Sequence, residues 1–206
     1  MTVRTPGSFL STIISTVASS LELDEVLGSV VRLLTEASAA NACFIYLIEG
    51  DDEQLVLRAA SPPFESVVGT ITLAKGEGLA GWAVEHREPV FVADNLLDDP
   101  RSKHVPELDE ERFQSLVSVP LLAKDGSVIG VISAHSPAPR EFSREEVDFL
   151  VSAAALVAGA IENARLYEGT RQRVAELEAL TAIAEAIAGA DTLEALLPTA
   201  ADGARA

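Results

Sequence analysis

One cysteine, one tryptophan and three histidines in 206 residues leave little material for several common chemistries. Cys43 has no second thiol for an internal disulfide, and His86, His104 and His135 stand too far apart to give a zinc-ligand pattern. Cations are scarce as well. Fifteen Lys and Arg against 32 Asp and Glu leave a net charge of −17, which repels a phosphate backbone and an anionic bilayer, so no nucleic-acid partner is expected. Long apolar runs are few. Phe9 to Leu21 is interrupted by Ser and Thr and lacks a signal-peptide cleavage site, so it reads as an amphipathic helix. Leu150 to Ile161 is flanked by acids and falls short of the ~20 residues that cross a bilayer. No membrane insertion and a cytoplasmic location are the expectations.

What the chain does contain is a globular share of apolar residues, 48%, arranged with clear periodicity. Phe9, Leu10, Ile13, Ile14 and Val17 form one helical stripe, and Leu23, Val26, Leu27, Val30, Val31 and Leu34 form another. Ala42 to Ile48 is aromatic and β-branched, apolar at alternate and intervening positions alike, as in a central strand covered on both faces. Gly50-Asp51-Asp52 then turns the chain into a second strand, Gln54 to Ala60. Further strands are expected at Thr70 to Leu73, Pro89 to Ala93, Ser115 to Leu122 and Ser127 to His135, the last two joined by an Asp125-Gly126 hairpin turn. The polar stretch Asp94 to Arg112, with Pro100 and Pro106, suits a surface loop or short helix.

From Ser143, with Glu146 at the capping-box position, a long helix is expected. Val147, Leu150, Ala154, Val157, Ile161 and Ala164 give it a three-four apolar seam. The phase breaks around Glu168-Gly169-Thr170 and resumes at Leu177, Leu180, Ala184 and Ile187. Ile183, Ile187 and Leu193-Glu194-Ala195-Leu196-Leu197 also echo Ile13, Val17 and Leu23-Asp24-Glu25-Val26-Leu27, as if a second copy began there.

Gly76-Glu77-Gly78-Leu79-Ala80-Gly81-Trp82, followed by Glu88-Pro89-Val90 and Val92-Ala93-Asp94, resembles the middle of GAF domains. Ser115 to Leu121 with Gly126 and Val128 to Ile132 resembles their last hairpin. Phe142-Ser143, Glu146, Phe149 and Leu150 resemble their closing helix. The resemblance runs in order from about Leu23 to Ile161. It implies an α+β, PAS-like fold: an antiparallel sheet of five or six strands, helices on both faces, and a long C-terminal signalling helix. Family members that bind ligands do so on the face opposite the terminal helices, and others only dimerise or relay signals.

Gly76 to Gly81 fits the glycine pattern of dinucleotide sites, but Arg87-Glu88-Pro89 stops the helix too early for a parallel crossover, and Glu77 stands where a pyrophosphate would rest. The glycines therefore read as backbone turns. One GAF branch reduces free methionine sulfoxide with cysteines; here Cys43 has no resolving thiol and lies in a core strand. The cysteine-histidine pair of bilin-binding relatives is missing. His104 or His135 would be the candidates for a haem ligand. Ser133-Ala134-His135-Ser136 and Glu145-Glu146-Val147 stand where cyclic-nucleotide binders carry their signature. No cofactor is assigned.

The domain expectation is an N-terminal helix at 1–21, a GAF-like domain at 22–165, a signalling helix at 166–190, and the truncated start of a second repeat at 191–206. The resemblance implies a ligand cavity lined by Tyr46, Trp82, Asp94, Arg101, Ser118 and Ser133. Arg101 would clamp an anion, Trp82 would cover the ligand, and the serines would orient it. The functional expectation is a non-catalytic, homodimeric sensor of an unknown small molecule, with its output domain outside this chain. The alternative is a structural dimerisation module whose cavity is filled by its own side chains.

Overall fold

The computed structural model describes residues 10–15, 23–38 and 40–203, with side chains as far as 185. It divides into two compact units, Met1–Ala164 and Arg165–Ala206. Residues 10–15 are helical and Ile13 is fully buried, while Phe9 and Val17 of the expected opening helix lie outside the described residues. Helix α1, Leu23–Ala37, buries Val26, Leu27, Val30, Val31 and Leu34, the stripe its periodicity defines. Asp24 in its first turn favours the helix dipole and also meets Arg58, whose other nitrogen holds Glu49, both at 2.7 Å.

Six strands form one sheet in the order β3-β2-β1-β6-β5-β4, each paired antiparallel with its neighbour. They are β1 (Ala42–Glu49), β2 (Gln54–Ala60), β3 (Thr72–Leu73), β4 (Val90–Val92), β5 (Ser115–Leu122) and β6 (Val128–Ser136). The strand expected from Thr70 starts two residues later, because Gly69 turns with φ +79° and the Thr70 hydroxyl donates to the Val67 carbonyl. Strand alternation separates two cores. Cys43, Ile45, Leu47, Val117, Val119, Ile132 and Ala134 face α1 and the long helix. Phe44, Tyr46, Leu116 and Val131 face the other way, toward α2 (Gly78–His86) and the segment after β4.

The glycines before and within α2 act as the turns expected of them. Gly76 and Gly78 take φ +81° and +67°, and a Cβ on Gly81 would lie 2.6 Å from the Ala74 carbonyl oxygen. Between β4 and β5 the polar stretch forms three 3-10 turns, Leu96–Asp98, Pro106–Leu108 and Glu110–Arg112, pinned by buried Leu96, Val105, Leu108 and Phe113.

Helix α3, Arg144–Gly203, opens with the reciprocal capping box: Glu146 N–H donates to Ser143 Oγ at 3.2 Å and Ser143 N–H donates to Glu146 Oε2 at 2.9 Å. In the first unit its buried residues Leu150, Ala153, Ala154, Val157, Ala158 and Ile161 belong to the core with α1. Between Arg144 and Glu185 it holds a stretch apolar enough, by length and composition, to cross a membrane. That is longer than the Leu150 to Ile161 run, and 39% of the stretch is buried, its first-unit residues in the core with α1. The helix runs unbroken through Glu168-Gly169-Thr170, where the Thr170 hydroxyl donates back to the Leu166 carbonyl at 2.8 Å. In the second unit Leu166, Leu177, Leu180 and Ile183 are more than half exposed. The side chains of Leu193 to Leu197, the expected second copy, lie outside the described ones.

Candidate functional site

On the face of the sheet away from α1, Tyr46 comes from β1, and Ser133 and His135 come from β6 two residues apart on the same side. The start of α2 and the segment Ser102 to Glu110 close over them, leaving a cavity of about 30 Å³. That is room for one or two waters, since a water needs roughly 10–15 Å³ by this measure. Its polar wall consists of Tyr46, Ser102, Lys103, Glu110, Ser133 and His135; Leu73, Leu79, Leu96, Val105 and Leu116 supply much of the apolar wall. A cavity of about 30 Å³ is much smaller than a cyclic nucleotide, a bilin or a porphyrin.

Two of these groups are electrostatically unusual. Glu110 is only 8% exposed, and burial pushes its carboxyl up to about 7 even though Oε2 accepts the Val105 N–H at 2.7 Å. The nearest histidine nitrogen, Nδ1 of His104, stands 4.0 Å away, and Lys103 Nζ is engaged with Glu77 at 2.7 Å. His135 is 3% exposed, packed edge-on by Phe44 and Phe113, and burial pulls it down to about 3, so the ring is neutral. Its Nδ1 is buried without a hydrogen-bond partner among the described residues. Burial, with the Glu110 charge adding, also raises the Tyr46 phenol.

Of the six residues the resemblance pointed to, the structure brings Tyr46 and Ser133 to this cavity. Ser118 is buried beside it, sharing a 2.6 Å hydroxyl hydrogen bond with Ser133 across the β5–β6 pair. Trp82 and Arg101 meet each other instead, the guanidinium 5.3 Å from the indole centroid, while Trp82 stacks on His86 at 3.9 Å. Arg101 is also occupied by Asp99, which receives its N–H, Nε and Nη2 at 2.7 to 2.9 Å; this pairing lowers the Asp99 carboxyl and raises the guanidinium. Asp94 is exposed and accepts the Asn95 N–H. These last three residues do not line the cavity. Glu110, by contrast, was not singled out from the sequence. It stands in the run Asp109-Glu110-Glu111, where nothing separates a buried acid from solvated ones; its position between the anchors Leu108 and Phe113 is the one available signal. His135 carries a clearer one, since strand alternation puts it on the face of Ser133.

Cys43 is fully buried on the opposite face, its thiol pushed up to about 12 by burial. No nucleophile of that kind reaches the cavity.

The sheet order and the two separate cores define a fold of the PAS-like α+β class. The chain belongs to the GAF domain family, whose sequence model matches residues 20–162. It is 30% identical over 182 residues to the phosphoenolpyruvate-dependent phosphotransferase system protein of Escherichia coli K12, a match covering 85% of this chain and 24% of that protein. The chain thus spans about a quarter of that relative's length. Among solved structures, the GAF domain of a phosphoenolpyruvate-protein phosphotransferase from Coxiella burnetii superposes with a TM-score of 0.73 at 30% identity, covering 80% of this chain and 96% of that one. Free methionine-R-sulfoxide reductase from Neisseria meningitidis, in complex with its substrate, shares the fold with a TM-score of 0.67 at 24% identity, covering 79% of this chain and 91% of that one.

Proposed function

We propose that this chain is the non-catalytic sensing domain of a longer cytoplasmic signalling protein. It reads a small polar molecule in the cavity between the sheet and α2, and passes occupancy along α3 of a homodimer. The supporting observation is convergence: Tyr46, Ser133, Glu110 and His135, whose Nδ1 is unpartnered among the described residues, all line one small cavity. Ser118 positions Ser133 in this reading. Trp82, Arg101 and Asp94 lie outside the cavity as it stands and would join the site only with a movement of the segment Ser102 to Glu110. In the same reading residues 22–165 are the sensing unit, 166–190 carry the signal, and 191–206 begin a second repeat. The exposed apolar residues Leu166, Leu177, Leu180 and Ile183 are the surface for a second copy.

The small cavity volume favours one competing reading, a structural dimerisation module with a self-filled core. Native mass spectrometry of the freshly purified protein, followed by thermal melts against organic acids, amino acids, amines, nucleotides, bilins and haem, separates the two. Binding that Ser133→Val abolishes in a folded protein supports sensing. No retained molecule and no shift from the whole panel would leave the structural reading standing.

A further inference from the structure

Taking the cavity as a ligand site, the chemistry of its wall also specifies the ligand. Glu110 is a buried carboxylate with no cation in hydrogen-bond contact: Oε2 receives a backbone N–H, His104 Nδ1 is 4.0 Å off, and Lys103 is held by Glu77. A carboxylate removed from water in that state is left short of donors. Across the same enclosure His135 is neutral and its Nδ1 has no partner among the described residues, so with the ring proton on Nε2 that nitrogen receives a hydrogen bond. Ser133 and Tyr46 keep oxygen lone pairs available. We propose that the cavity binds an ammonium head group, either free ammonium or the primary amine of a larger metabolite, with its N–H donors directed at Glu110, His135, Tyr46 and Ser133.

Size and field agree with that choice. An enclosure of about 30 Å³ fits a group the size of water, and a chain of net charge −17 attracts cations from solution. An anion is the alternative to weigh, because the N-terminal residues Gly78, Leu79 and Ala80 of α2 and Lys103 also line the wall. Lys103 is already neutralised by Glu77, however, and Glu110 would repel an anion from inside the enclosure. Potassium matches the charge but brings no N–H for the imidazole nitrogen, which favours donors over a bare cation.

The experiment uses the full chain and four chloride salts at equal ionic strength: ammonium, methylammonium, potassium and tetramethylammonium, followed by thermal melting and calorimetry. Sodium acetate and acetamide serve as anionic and neutral probes. Ammonium and methylammonium should raise the melting midpoint and bind, while potassium and tetramethylammonium should not. Glu110→Gln, which can still accept the Val105 N–H, should weaken binding at least tenfold in a folded protein, and His135→Phe should weaken it independently. With His104 and Lys103 from the same segment, Tyr46 from β1 and His135 from β6 facing it, Glu110 ionises near neutrality. Affinity should therefore rise about tenfold from pH 6 to pH 8. Tighter binding of n-butylammonium than of ammonium assigns the site to a metabolite's amine, and the reverse assigns it to free ammonium. Response to acetate or acetamide with the amines silent overturns the ammonium assignment and leaves the sensing reading intact. Silence toward these probes and the wider panel overturns both.

Discussion

Cys43 and the pair Glu110 and His135 show how burial alone sets what a side chain can do. With its thiol held near 12 in a closed core, Cys43 should not react with an aromatic disulfide reagent in the native protein, and should react stoichiometrically once urea unfolds the chain. Native-state labelling within minutes would contradict this. The other two groups act on stability in opposite senses. His135 is lowered to about 3, so the unfolded state binds more protons below pH 6.5, and stability falls with pH from there toward 3. Glu110 is raised to about 7, so the folded state holds its proton longer, and stability rises as pH falls from 7 toward 4.5. Between pH 6.5 and 4.5 these two contributions largely offset one another. Glu110→Gln should uncover the histidine, making the variant lose about 1.4 kcal/mol per pH unit across that window relative to the parent in urea titrations. A parallel pH dependence for parent and variant would show that the two groups do not oppose each other. The burial of Cys43 was legible from its place in a core strand, but that of Glu110 was not, because an acid in a run of acids discloses burial only when the turns around it are known.

At the level of elements the sequence spoke more clearly. Gln54 to Ala60 and Ser115 to Leu122 were readable to the residue, because alternation and Gly turns bound them sharply. The edge strands were overestimated by one or two residues, since pairing on one side alone ends where the neighbouring chain turns away. The Gly76 to Gly81 pattern was read as turns, and its geometry agrees. Two elements yield predictions. Ser143→Ala removes one arm of the capping box and should cost about 1 kcal/mol in chemical denaturation without altering the helix content of the folded state. Gly130→Ala is more severe: a Cβ there would sit 2.2 Å from the Tyr46 carbonyl oxygen on the adjacent strand. That forces β6 away from β1, so a loss of about 2 kcal/mol or more is expected, with the cavity residues Tyr46 and Ser133 displaced as well. A stable Gly130→Ala protein with unchanged amide chemical shifts in β1 and β6 would be inconsistent with the described register.

For the molecule as a whole, the second unit sets the test. Leu177 and Leu180 are exposed apolar residues three apart on an acidic helix, an arrangement favoured where two copies meet. Sedimentation should find a dimer at tens of micromolar, and Leu177→Glu with Leu180→Glu should convert it to a monomer without changing the melting of the sheet unit. A parent that sediments as a monomer at that concentration removes the dimer from the proposed mechanism. The fold was readable from the sequence at this scale because motif order over some 140 residues is hard to imitate. The cavity was readable only in part, since Trp82 and Arg101 prefer each other to the enclosure.

The sheet's two cores carry one further consequence. Along β6, Ile132 and Ala134 belong to the helical side, while the residues between and beside them, Val131, Ser133 and His135, belong to the cavity side. Neighbouring positions of one strand thus pack against different partners. If the cavity binds a ligand as proposed, odd-numbered positions can be rewritten for a new one while even-numbered ones keep the long helix seated, so the two can be engineered as separate alphabets interleaved in the same line of text.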